Sequence, residues 1–392
     1  MKILFATGRK KQIDGELSNL NGQPYKVGES GRVLDSNSAL PKYYQLKEYI
    51  KDVIRRGGIA PGARLPSENS LVQQFGVSRH TIRQAMGGLE KEGLVYREQG
   101  RGTFCAYPNK TRIGKIAVLA TYISDYIFPG IIRGVDEVIS AAGYGLILAN
   151  TNNDKAKEAE CLDSIIKDEV VGLVVEPTKS AKGNVNFAYY RELEIRNIPY
   201  VMVNAVYPDL DPAYVVMDDE QGGYVATSYL LQLGHRRIAG IFKADDLQGV
   251  SRQAGFVRAL AEFGIAPEAD LVSNYETEEL YVYPYQFARR ILQRPERPSA
   301  IVCYNDQIAL QVLDAVRDEG LRVPDDVSLI GYDDSTLAVA SEVKLTTIRH
   351  PNAEMGRQAA RLLLDMLTDR SRKPHFVYRP ELVLRSSCRL VG

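Results

Sequence analysis

The sequence predicts a multidomain chain, with a small N-terminal α+β unit followed by a large C-terminal α/β body in two lobes. Three observations lead there. The 392 residues exceed what a single core usually organises. From Leu65 to Phe104, apolar residues at helical spacing give way to a hairpin pattern with a Gly-rich tip. From Ile113 onward, short apolar runs alternate with amphipathic helical stretches in numbers too large for one small domain.

Taken in order, residues 1–39 are polar and rich in Gly, Ser and Asn, and are expected to form a disordered extension. A helix is predicted from Pro41 to Arg56 on the spacing of Tyr44, Leu46, Ile50, Val53 and Ile54, with Pro41 in a tolerated first-turn position. GGIAPGARLP then breaks the chain. Two short helices follow, carrying Val72, Phe75, Val77, Ile82, Met86 and Leu89. Gly76 ends the first helix and Ser78 caps the second. Strands Leu94–Glu98 and Thr103–Ala106 flank Gln99-Gly100-Arg101-Gly102, which makes the unit a winged helix-turn-helix over residues 40–107. Residues 108–112 read as a linker, and 113–392 as the body. Body strands are predicted at Ile116–Ala120, Gly145–Leu148, Gly172–Val175, Tyr200–Val203, Tyr214–Met217, Ile238–Phe242, Ala300–Cys303 and Val327–Ile330. Helices at Gly134–Ala142, Gly223–Leu233 and Gln307–Glu319 separate some of them, which implies parallel sheets with ligands at the C-terminal strand ends.

Composition is that of a soluble globular protein, 45% hydrophobic and 25% charged. The formal net charge of zero hides an asymmetry. Residues 40–107 hold 11 Lys+Arg against 6 Asp+Glu and residues 1–39 hold 6 against 4, so the remainder carries a net −7. A basic module on an acidic body is the balance expected of contact with phosphate backbones at one end, with chance clustering as the alternative. Cys105, Cys161, Cys303 and Cys388 are scattered without metal-ligand spacing, which points to reduced thiols in the cytoplasm and no metal. The apolar run in MKILFATGRKK is too short for a secretory leader, and no stretch offers about 18 apolar residues for a membrane span.

The second helix of the turn motif begins with Arg79, His80, Thr81 and Arg83, a set suited to a DNA major groove. Ser78 sits where backbone donors can meet a phosphate. Glu68 can cap its own helix or make a polar contact near DNA. Gln99 and Arg101 at the wing tip can reach a minor groove or remain solvated.

LPSE, FGVSR-TIR-A and the Gly-rich wing resemble the winged helix of the GntR family of bacterial regulators over about 65 residues. The resemblance carries DNA contacts over to Glu68, Arg79, His80, Arg83 and Gln99. His80 departs from the Thr or Ala common there. The body is similar to the sugar-binding half of the LacI/GalR regulators, a two-lobed periplasmic-binding-protein-like domain, through RGVDEVISAAGYGLILANT, YLLQLGHRRIAGI, SRQAGFVRAL, AIVCYNDQIAL, VPDDVSLIGYDDS and LTTIRHP. This uncommon pairing resembles the arabinose-responsive repressors of Gram-positive bacteria. It implies a homodimer on double-stranded operator DNA, with L-arabinose as effector and no cofactor.

A neutral sugar is held by planar polar side chains and an aromatic ring. By resemblance Arg252, Asn305 and Asp333 are the principal effector ligands. Tyr122, Ser124, Asp125 and Phe128 follow the first body strand, Glu176 ends the third, and His350 lies near an expected crossover between lobes. For each, a satisfied loop or capping group is the alternative. His235 reads as a structural turn residue. No phosphate loop, HExxH or GxSxG is present, and adjacent Asp333 and Asp334 point to different faces, so no enzyme is expected. The remaining alternatives are an activator, a regulator for another sugar, and a sugar-binding module whose winged helix makes protein contacts.

Overall fold

The structure is a computed structural model that describes residue 34 and residues 40–55, 58–98, 100–106, 114–124 and 126–391. Apart from Leu34, the expected extension lies outside the described residues, as do linker residues 108–112, Gln99 and Asp125. The chain divides into two compact units, Met1–Thr111 and Arg112–Gly392.

In the first unit, α1 (Lys42–Arg55), α2 (Glu68–Phe75) and α3 (Arg79–Lys91) pack beside the hairpin β1 (Val95–Glu98) and β2 (Gly102–Cys105). Leu46, Ile50 and Val53 of α1 interlock with Ile82, Ala85, Met86 and Leu89 of α3, each set at helical spacing, and all are buried. Leu71, Val95 and Cys105 complete this core, and Leu34 packs against it partly buried. The turn between α2 and α3 is built as the residues dictate. Gly76 takes the left-handed conformation at φ 62°, and the Oγ of Ser78 accepts from the amide of Thr81 at 3.2 Å.

The second unit opens with β3 (Lys115–Ala120), α4 (Phe128–Ala141), β4 (Gly145–Asn150), α5 (Lys155–Lys167), β5 (Gly172–Val175), α6 (Phe187–Ile195), β6 (Tyr200–Val203) and β7 (Ala213–Met217). After α7 (Asp219–Gln232) come β8 (Ile238–Lys243), α8 (Leu247–Glu262), β9 (Val272–Tyr275), α9 (Tyr283–Leu292), β10 (Ala300–Cys303), α10 (Asp306–Asp318), β11 (Ser328–Asp333), α11 (Leu337–Ala340) and β12 (Thr346–Arg349). The chain then returns through α12 (Asn352–Thr368) to β13 (His375–Tyr378) and ends in β14 (Glu381–Val383). Two six-stranded sheets result, ordered β4-β3-β5-β6-β7-β13 and β9-β8-β10-β11-β12-β14. Every pairing is parallel except β12 with β14. Strands β5, β6, β8, β10 and β11 are buried at every position, as parallel strands covered on both faces must be.

Three crossings link the lobes, between β7 and α7, between β12 and α12, and between β13 and β14. Two helix pairs come unusually close. A Cβ at Gly134 of α4 would collide with the carbonyl of Ala353 in α12, and one at Gly255 of α8 with the carbonyl of Glu220 in α7.

Several elements differ from those the sequence predicts. β9, β12, β13 and β14 fall outside the predicted strands, because short edge strands and strands carrying Thr, Ser and Asn lack a clean apolar run. α7 starts at Asp219, four residues before the expected Gly223, under the Asp218 cap. α4 starts at Phe128 instead of Gly134, because Pro129 is accommodated in its first turn. β11 extends to Asp333, three residues past Ile330.

Candidate effector cleft and DNA interface

Both sheets end at one cleft. A cavity of about 520 Å³ lies there, and its wall is assembled from residues that follow strand ends. From the first lobe come Tyr122, Ser124 and Phe128 after β3, Glu176 after β5 and Asn204 after β6. From the second come Lys243 and Asp246 around the end of β8, Tyr275 ending β9, Asn305 after β10 and Asp333 ending β11. Arg252 reaches it from α8, and His350 from the crossover after β12. Every effector candidate among the described residues therefore borders this one cavity.

Arg252 is the centre of the second-lobe wall. Its Nε donates to Asp219 Oδ1 at 2.8 Å and its Nη1 to the carbonyl of Tyr304 at 2.8 Å, while Nη2 stands 3.6 Å from Asp333 Oδ1. The guanidinium lies 3.5 Å from the centroid of the Tyr332 ring. Burial pushes the Asp219 carboxyl up to about 6 although Arg252 opposes it. Asp333 is buried at φ 99°, a conformation few non-glycine residues adopt, and its Oδ1 has no hydrogen-bond partner. The hydroxyl of fully buried Tyr275 is likewise unpartnered. Orphaned polar atoms in a cavity are where a polar ligand gains most. Asn305, on the cavity wall, also caps α10, its Oδ1 accepting from the Ile308 amide at 3.0 Å.

On the first-lobe wall, Glu176 accepts from the amide and hydroxyl of Thr121 and from Asn204 Nδ2 at 2.8 Å. Burial raises its carboxyl above the usual range. Asn204, at φ 64°, turns its Oδ1 to His350 Nε2 at 3.1 Å, and His350 Nδ1 faces Asn352 Oδ1 at 2.5 Å. Burial holds the His350 imidazole below its ordinary value. Tyr122 and Phe128 form a tilted ring pair with centroids 5.6 Å apart.

Lys243, Asp246, Asn204, Tyr275 and the exposed Tyr281 escaped the sequence reading. Lys243 bridges Asp245 and Asp246 at 3.0 Å each, and these carboxylates keep its ammonium above the ordinary range against the opposing effect of burial. Asn204 was reachable from sequence, because it immediately follows a predicted strand. Tyr275 was not, because β9 itself is unrecognisable. Asp334 points away from the cleft and pairs with Arg349 and Arg385. His235 is a buried structural residue between Ser299 Oγ and the carbonyl of Arg389.

In the winged unit, Arg79, His80 and Arg83 are exposed on the start of α3, and Gln84 shares that face. Arg83 Nε donates to Glu68 Oε2 at 3.1 Å, and Arg79 donates to Asn69 Oδ1. The first turn of α2 thus holds both arginines. The hydroxyl of Thr81 lies 2.9 Å from Ser78 Oγ, so both residues serve the helix cap. Arg101 at the wing pairs with Glu98.

Residues 42–105 match the description "Bacterial regulatory proteins, gntR family", and residues 227–388 match "Periplasmic binding protein-like domain". The chain is 51% identical over 355 residues to the arabinose metabolism transcriptional repressor of Geobacillus stearothermophilus, covering 89% of this chain and 98% of that protein. It is 46% identical to the corresponding repressor of Halalkalibacterium halodurans, covering 88% and 96%. The chain belongs to the arabinose metabolism transcriptional repressor family. Members of this family are transcriptional repressors, not enzymes. Among solved structures, a transcriptional regulator CelR–cellobiose complex superposes with a TM-score of 0.62 at 27% identity, covering 79% of this chain and 91% of that one. The GntR-type winged helix and the periplasmic-binding-like body expected from sequence are both present. Among the described residues, no helix is long and apolar enough to cross a membrane and no cluster is placed to hold a metal ion.

Proposed function

We propose that the chain represses sugar-utilisation genes in the cytoplasm and leaves its operator when L-arabinose fills the cleft. The observation that carries this reading is the coexistence of an exposed, cation-bearing recognition helix with a sugar-sized cavity holding unpartnered buried groups. Arg252, Asn305 and Asp333 are the principal effector ligands, with Glu176 and His350 on the opposite wall. Tyr122 and Phe128 offer an aromatic surface to the apolar face of the sugar. The names of the relatives support arabinose over other sugars.

Arg79, His80 and Arg83 read the major groove, and Arg101 with Gln99 follows the adjacent backbone or minor groove. Two chains pair through their bodies so that two winged helices meet a pseudo-palindromic site. Exposed Leu148 on edge strand β4, and Val250 and Val257 on one stripe of α8, supply apolar surface for that pairing. The sugar favours closed lobes, and closed lobes disfavour simultaneous engagement of both DNA-binding units.

A gel-shift titration with pentoses and hexoses tests the proposal. L-arabinose should release the operator complex at lower concentration than any hexose. Release by no pentose refutes the effector, and DNA affinity that does not fall steeply with salt refutes the DNA role.

A further inference from the structure

We propose that the turn Lys179–Lys182 of the first lobe is an electrostatic latch on the acidic rim of the second, so that closure over an uncharged sugar is itself charge-dependent. The inference rests on the reading that the sugar closes the lobes.

The contacts join Asn153 and the 179–182 turn of the first lobe to residues 245–247 and 276–279 of the second. Lys179 Nζ meets Glu278 Oε1 and Lys182 Nζ meets Glu276 Oε1, each at 2.5 Å. The Leu247 amide donates to Ser180 Oγ at 2.9 Å, and the Ala181 amide donates to the carbonyl of Asp245 at 3.3 Å. Asn153 ties the two sides together. Its Nδ2 donates to Thr277 Oγ1 at 2.6 Å and its Oδ1 accepts from the Lys179 amide at 2.8 Å. Thr277 in turn donates its amide and hydroxyl to Asp245 Oδ2 at 3.0 and 2.6 Å. The acidic rim is held in shape by its own capping box, in which Glu279 accepts from the Glu276 amide at 3.0 Å.

These segments belong to the cleft mouth, yet the charged residues are not part of the cavity wall. Asn153 borders the cavity, whereas Lys179, Lys182, Glu276 and Glu278 do not. The latch therefore closes protein on protein, and no sugar atom needs to touch it. Lys179 adopts positive φ, 39°, so the turn begins in a conformation its lysine does not prefer. The four charged side chains are between 20% and 66% exposed, which leaves their attraction open to screening by salt. Opening the lobes would place two lysines and two glutamates in water without their partners.

The test uses the full chain. Calorimetric titration with L-arabinose at low and high salt should show affinity falling severalfold as salt rises, although the ligand is neutral. Lys182→Glu should weaken binding roughly tenfold at low salt, and the charge-swapped pair Lys182→Glu with Glu276→Lys should restore it. Salt-independent affinity in the wild type, or failure of the swap to restore a loss, overturns the latch. Wild-type protein that binds no arabinose would instead refute the effector reading. Small-angle scattering of the sugar-free chain then decides the latch alone, since Lys182→Glu must expand the body relative to the wild type and to the swapped pair. An unchanged scattering profile overturns it. Thermal unfolding confirms that each variant is folded.

Discussion

Asp333→Asn tests the group on which the proposed effector binding most depends. Asp333 is 3% exposed, and its Oδ1 has no hydrogen-bond donor from the protein. Arg252 faces two buried carboxylates, Asp219 and Asp333, so the cluster carries one negative charge in excess. A hydroxyl donating to a carboxylate contributes about 1.5–3 kcal/mol, and to a neutral amide about 0.5–1.5 kcal/mol. The difference, about 1–2 kcal/mol, predicts a roughly 5- to 30-fold loss of sugar affinity. Stability should move the other way or not at all. Asn tolerates the left-handed backbone as well as Asp does, so the strain at φ 99° is unchanged. Removing the charge also relieves Asp306 and Asp219, whose carboxyls Asp333 helps push up. Each kcal/mol corresponds to about 2–4 °C in a body of this size. Calorimetry with L-arabinose and thermal unfolding without it are the two assays. Unchanged affinity, or a melting point lowered by more than about 5 °C, would refute the reasoning.

Tyr275→Phe should leave the sugar-free melting point equal or higher, because the deleted hydroxyl has no partner, while sugar affinity drops severalfold; an intact affinity would remove Tyr275 from the site. Arg83→Ala should lower specific operator affinity by about 1–3 kcal/mol in gel shifts, and its folding effect should stay within about 1 kcal/mol because the Glu68 pair is largely exposed. Burial pushes Asp306 up to about 7, so the folded chain holds a proton there that the unfolded chain has already lost. Its contribution to stability is therefore complete below about pH 4 and declines as pH rises through 7, by at most about 1.4 kcal/mol per pH unit. Denaturant unfolding of Asp306→Asn between pH 5 and 8 should show a flatter profile than the wild type.

The parts of the fold that follow from local rules were readable in the sequence. Ser78 caps, Gly76 turns and the 3.6-residue stripes of α1 and α3 required nothing beyond neighbouring residues. The buried central strands were equally plain, since β5, β6 and β10 are continuous apolar runs. Three of the four edge strands were not. β9 reads Val-Ser-Asn-Tyr and β13 reads His-Phe-Val-Tyr, patterns that only a neighbouring strand converts into sheet. Asn305 and Glu176 follow or end predicted strands and are legible for that reason, Asn204 follows one and still escapes notice as a plain loop amide, and Tyr275 is hidden because β9 is. Lys243 was missed for another reason. A lysine at a strand end reads as a solvated charge until Asp245 and Asp246 are seen folding back on it.

The lobes are built to transmit sugar binding instead of absorbing it. Gly134 with Gly356 lets α4 and α12 touch backbone to backbone in the first lobe, and Gly223 with Gly255 does the same for α7 and α8 in the second. Helices packed this closely resist sliding, so the proposed closure has the three crossings as its hinges. One of these carries His350, which is bonded through Asn204 to Glu176 on the cavity wall. From a sugar-free balance in which the latch holds the lobes about half closed, reaching ninety-nine parts in a hundred requires about 2.7 kcal/mol of preference for the closed state. Two charge-assisted hydrogen bonds, such as those open to Asp333 and Arg252, supply about 3–6 kcal/mol. The groups on the wall are therefore sufficient for a switch as long as deformation within each lobe absorbs less than the difference. Filling either helix contact with a side chain, as in Gly134→Ala, should consequently impair sugar response more than it impairs sugar binding.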